Sequence, residues 1–181
     1  MLKLLQTRNL TESTNLIPTR YINRVEMEYN NYKYCIWDFG GALKYRKRYF
    51  DSCHYFAHTD EIMFFIDITD ESSYNESLEY LTNLVEIFTA KYENLFPKDL
   101  KITILFHKID PILLEKSKRV DRNIVWLEQK LSNIDFPCEY DIHLTSIYNF
   151  DKEHLSSLYE QELYECLSNV IIDAFSKNVL M

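Results

Sequence analysis

Glycine is what this chain has least of: two in 181 residues, side by side at Gly40 and Gly41. Average usage of about 7% would place roughly 13 in a chain of this length. The shortage excludes every motif built on spread glycines, including the GxxxxGK[ST] phosphate loop and the GxGxxG dinucleotide fingerprint. Proline adds only four residues while aromatics reach 15%, so a disordered or collagen-like chain is excluded as well. The four cysteines, Cys35, Cys53, Cys138 and Cys166, form no CxxC pair and read as reduced thiols, mostly of a core. The opening MLKLLQTRNL is too short an apolar stretch for a signal peptide, and no segment approaches the roughly 18 apolar residues of a membrane span. Position 2 is not glycine and the chain ends NVLM, which leaves no expected lipid anchor. Positive charge is lacking too. A formal charge of −8 argues against nucleic acid as a partner. What remains is an expected cytoplasmic domain spanning 1–181, with 46% hydrophobic residues to fill its core.

Strand and helix patterns alternate along the chain. Residues 24–29 and 32–37 are β-rich runs on either side of Asn30-Asn31, two residues that tolerate φ > 0, and so predict an antiparallel hairpin. A basic stretch from Lys44 to Phe50 precedes the apolar run Ile62 to Ile66. Leu78, Leu81, Leu84, Val85 and Phe88 then recur at helical spacing within 74–95. KITILF at 101–106 has the length and β-branching of a buried parallel strand. An amphipathic helix is predicted over 113–133, a strand over 138–144 and a closing helix over 153–177. Repeated strand–helix–strand units predict an α/β fold: a mostly parallel sheet in three layers, with one antiparallel hairpin strand.

Ligands of such sheets gather at the carboxyl ends of the strands. There the sequence places Asp38, Gly40 and Gly41, then Asp67, then His107, Lys108 and Asp110, then Thr145 and Ser146. Trp37-Asp38-Phe39-Gly40-Gly41 resembles the WDxGG form of the DxxG motif in Rag and Arf branches of the Ras-superfamily GTPases. His107-Lys108-Ile109-Asp110 is similar to the HKxD variant of their guanine-reading motif, and Thr145-Ser146-Ile147 to the TSI form of their last guanine loop. Pro18-Thr19 has the spacing of a switch I threonine. The four stand in family order, so the chain is identified as a Rag/Arf-like small GTPase with the Ras-like P-loop NTPase fold.

That resemblance implies GTP or GDP and Mg²⁺ as ligands, both expected to bind weakly or not at all if the chain is complete without a phosphate loop. Thr19 and Asp38 would serve the metal, and the Gly41 N–H, beside Gly40, would meet the γ-phosphate. Asp110 would accept two N–H bonds from guanine, Lys108 would lie along the base after His107, and an N–H near Thr145, Ser146 or Ile147 would bond its carbonyl. It also implies effector or regulator proteins at the switch regions and a second GTPase-fold chain as a partner. The first strand and its phosphate loop are missing from the pattern, since MLKLLQTRNL resembles the helix that follows them. An N-terminally incomplete chain, begun at an internal methionine, is the expectation. Ala42 stands where relatives keep a water-orienting glutamine, so no residue is assigned a catalytic role and hydrolysis is expected to be weak or absent. The alternative is a nucleotide-free pseudo-GTPase acting as a protein-interaction module.

The remaining features read as structural. His54 and His58, with Cys53, lack further metal ligands. Lys44, Arg46, Lys47 and Arg48 read as a solvated face, with partner docking second. Asp67, Asp70 and Glu71 read as an N-terminal cap of the 74–95 helix.

Overall fold

The computed structural model describes residues 18–29, 31–52, 55–91, 100–109, 118–146 and 164–166. Its strands fall into two separate sheets. In the first, β1 (Ile22–Tyr29) and β2 (Tyr32–Phe39) pair antiparallel, from Ile22 opposite Phe39 to Tyr29 opposite Tyr32. Asn31 takes φ 65, the left-handed region that asparagine tolerates and a tight hairpin needs. The expected hairpin is present, and β2 runs on through Asp38 and Phe39.

The second sheet is parallel, in the order β3 (Glu61–Asp67), β4 (Lys101–His107), β5 (Tyr140–Ser146) and β6 (Tyr164–Cys166). All of Ile102 to Phe106 is buried, as in a strand covered on both faces. The one polar side chain of that run, Thr103, donates its hydroxyl to Glu61 Oε1 at 2.9 Å. The sheet is flanked by helices, as the strand–helix alternation predicts.

Helix α1 (Leu43–Asp51) follows the hairpin. Helix α2 (Tyr74–Glu86) turns Tyr74, Leu78, Leu81, Leu84 and Val85 inward, and α3 (Lys118–Leu131) turns Val120, Ile124, Leu127 and Leu131. Both are stripes of three- and four-residue spacing. Tyr74 stacks on Trp126, with ring centroids 5.8 Å apart, and so joins α2 to α3. Helix α2 passes into a π-helical turn, Ile87–Lys91, and the rest of the expected 74–95 helix lies outside the described residues. The same holds for 113–117 ahead of α3.

One expectation is corrected. The described part of the predicted 153–177 helix, Tyr164–Cys166, is a strand that pairs Leu144 with Tyr164 and Ser146 with Cys166. Pairing satisfies the backbone groups along the outer edge of β5, a tertiary gain that helical spacing does not register. The rest of that span lies outside the described residues, as do residues 1–17. Among the described residues no helix is long and apolar enough to cross a membrane.

The core predicts a contrast between two truncations. Phe106 is fully buried and Val125 is 51% exposed on α3. Phe106→Ala is expected to cost roughly 3–5 kcal/mol in denaturant unfolding, and Val125→Ala within about 0.5 kcal/mol.

Candidate functional site

The hairpin end of the site is built around Gly40. A Cβ placed there would lie 2.3 Å from the Thr19 carbonyl oxygen and 3.2 Å from that of Tyr21, so only glycine lets residues 19–21 cross it. The contact is bonded as well as close: Gly40 N donates to Tyr21 O at 2.7 Å. Tyr49 of α1, fully buried, donates its hydroxyl to the same Tyr21 oxygen at 2.8 Å and to Gly40 O at 3.3 Å. Burial pushes the Tyr49 hydroxyl up to about 12, so it stays a donor at neutral pH. Tyr21 pays for the crossing with φ 65, a strained value for an aromatic residue. The result brings Thr19 to Asp38, its hydroxyl donating to Asp38 Oδ2 at 2.7 Å.

Gly41, by contrast, has no heavy atom within 4 Å of where a Cβ would sit. The sequence argument for a close backbone approach names Gly41, toward a ligand. Within the folded chain itself the crowded position is Gly40.

The other end is the row of strand termini. Register aligns Asp67, His107 and Thr145 across β3, β4 and β5. His107 Nδ1 and Thr145 Oγ1 are 3.0 Å apart, and Ile109 N donates to Thr145 O at 3.1 Å. Ile68 N closes the row from the other side, onto His107 O at 3.0 Å. Thr145 and Ser146 are fully buried as the last residues of β5, which corrects the strand end at 144 and their reading as loop residues. Parallel pairing, of Thr145 with both β4 and β6 and of Ser146 with β6, draws them into the sheet. Lys108 takes φ 68, and its Nζ reaches Asp67 Oδ2 at 2.5 Å. Asp110 and Ile147 lie outside the described residues, as do Cys53 and His54.

Asp67 and Arg46 are the residues that the motif reading missed. Instead of capping α2, Asp67 accepts from Thr69 N and Thr69 Oγ1 as well as from Lys108. Neither does Asp70 cap: it accepts from Ser72, while Glu71 takes the Arg119 guanidinium at 2.6 Å. Burial alone would push the Asp67 carboxyl up, but the bonds from Lys108 and Thr69 outweigh it and hold it below the ordinary range. Arg46 is no solvated charge. Its Nε donates to Gly41 O at 2.8 Å, and a terminal guanidinium nitrogen pairs with Glu76 at 2.9 Å. No spacing rule announces the Asp67–Lys108 and Arg46–Glu76 pairs, because both join elements distant in sequence.

Among the described residues no group of three His, Cys, Asp or Glu side chains is placed to hold a metal. Thr19 and Asp38 offer two adjacent oxygens, a donor set that suits Mg²⁺, which binds through one or two protein oxygens and completes its shell with phosphates and water.

Residues 5–179 match the family model described as the Gtr1/RagA G protein conserved region.

Two outcomes follow from this geometry. Gly40→Ala is expected to destabilise the chain by about 1–3 kcal/mol, whereas Gly41→Ala, into open space, stays within about 0.5 kcal/mol; denaturant unfolding of both compares them. The Asp67 contribution has a pH signature, because the folded carboxyl titrates lower than the unfolded one. The stability gap between wild type and Asp67→Asn should be full above the unfolded value of about 3.9 and vanish as pH falls through the folded one. Urea unfolding across that range reads it.

Proposed function

Because the chain belongs to the Gtr1/RagA G protein family, we propose that it is a guanine-nucleotide-binding switch whose base end is the row at β4 and β5. One observation carries the reading: the HKxD and TSI segments are fastened to each other by the His107–Thr145 and Ile109–Thr145 bonds. Two segments must be held together if both are to read one planar base. Lys108 would lie along that base, Asp110 would accept two N–H bonds from guanine, and a backbone N–H near Ser146 and Ile147 would meet its carbonyl. Adenine would leave these groups unpaired, which is how a polar site discriminates.

At the other end Thr19 and Asp38 would hold Mg²⁺, which supplies charge neutralisation to the phosphates. Gly40 keeps Thr19 beside Asp38, and the Gly41 N–H would meet the γ-phosphate. Ala42 follows with a methyl group that orients no water, so hydrolysis by this chain alone is proposed to be weak or absent. Effectors and regulators would then read the state of residues 18–21 and 38–51. A second GTPase-fold chain is a further proposed partner.

The test is displacement of a fluorescently labelled GDP from the 181-residue chain with Mg²⁺ present. GTP and GDP should compete at least about 100-fold better than ATP, and Lys108→Ala should weaken both. Equal competition by ATP would overturn the guanine assignment. No binding at millimolar nucleotide would favour a nucleotide-free pseudo-GTPase kept as a protein-interaction module.

A further inference from the structure

On α1, Arg46 faces α2, where Glu76 holds it at 2.9 Å. Lys44, Lys47 and Arg48 recur at three- and four-residue spacing and so share another face of the helix, with Leu43 beside them. All three cations are exposed, and Leu43 is 64% exposed. The hairpin extends this face. Arg24 of β1 sits over the Trp37 ring of β2, its guanidinium carbon 3.8 Å from the centroid, and Trp37 is itself 37% exposed. Tyr21 joins the two parts. Its ring meets that of Tyr45, over which Lys44 lies at 4.9 Å, and its hydroxyl lies in the field of both Arg24 and Arg48. Among the described residues no carboxylate pairs with these four cations. Glu26, next on the Arg24 face of the hairpin, is taken by Lys33 at 2.6 Å, and Asp51 stands exposed at the far end of α1.

We propose that this face, Arg24 with Trp37 and the outer side of α1, docks an acidic segment of a partner protein that also carries an apolar side chain. Cations without carboxylate partners surround an exposed tryptophan and leucine there. Aromatic and arginine anchors are what interface centres favour, and complementary charge around them fixes the partner's sign. The charge of the whole chain decides between kinds of anion. At −8 it repels an extended anionic surface such as a membrane or a nucleic acid. A short acidic segment feels mainly the charges within a Debye length, about 8 Å in physiological salt, and on this face those are positive. Tyrosine rings and the β1–β2 ladder place these groups, so docking needs no nucleotide and the inference does not rest on the nucleotide reading.

The experiment follows, without nucleotide, the fluorescence anisotropy of a labelled peptide of glutamates around a central leucine as the 181-residue chain is added. Wild type is compared with Arg24→Glu, Lys47→Glu and Lys118→Glu, the last at an exposed position of α3. All three variants alter the net charge equally, so only the place of the charge differs. Unfolding midpoints are measured alongside, and Lys47→Glu, on an exposed helix face, decides if Arg24→Glu does not fold. The expected result is binding that weakens as salt rises, with a loss of about tenfold or more in Arg24→Glu and Lys47→Glu and none in Lys118→Glu. Absence of binding, or equal loss in all three variants, overturns the proposal. So does co-sedimentation with vesicles of equal parts phosphatidylcholine and phosphatidylserine that Arg24→Glu and Lys47→Glu abolish, because the face would then serve a membrane.

Discussion

The close crossing of residues 19–21 over Gly40 is the constraint on which the hairpin end depends. Backbone meets backbone there at a separation that excludes any Cβ, and the Tyr21 carbonyl, partly buried at the crossing, needs donors. Gly40 N and the Tyr49 hydroxyl supply them, and an unmet buried carbonyl would cost about 1–3 kcal/mol. Tyr49 is therefore committed to the core, and with it the docking of α1. Tyr21 accepts a left-handed backbone, and Thr19 is delivered to Asp38. Each of these features presupposes the others.

The strand-terminus row is organised differently. Its parts are brought level by parallel register, which β4 sets through an uninterrupted buried run. Side chains then cross-link what the ladder has aligned: His107 to Thr145, Lys108 to Asp67. The first end depends on a steric exclusion and the second on sheet geometry, so a given substitution disturbs one without the other.

The hairpin, the parallel strands up to β5 and the inward stripes of α2 and α3 were legible in the sequence, because each writes itself as a local period or turn residue. The family was legible from WDFGG, HKID and TSI. What the sequence left hidden required long-range knowledge. Tyr164–Cys166 sits in a helical pattern and becomes a strand because β5 offers it an edge. Arg46 belongs to a basic cluster and is singled out only by where Gly41 and Glu76 arrive. Asp67 precedes a helix and looks like a cap until Lys108 appears beside it, 41 residues later in sequence.

The division of the strands into two sheets has a consequence for how the molecule opens. Among the described residues the hairpin keeps its own ladder and its Phe39 stacks on Phe56, which meets Phe88, while α1 meets α2 through the Phe50–Tyr80 rings and the Arg46–Glu76 pair. Such contacts yield as a group without breaking a β3–β5 ladder bond. The hairpin and α1 are thus expected to open as a unit before the parallel sheet does. Amide hydrogens of β2 would exchange with solvent through that partial opening, while those of β4 await the unfolding of the whole chain.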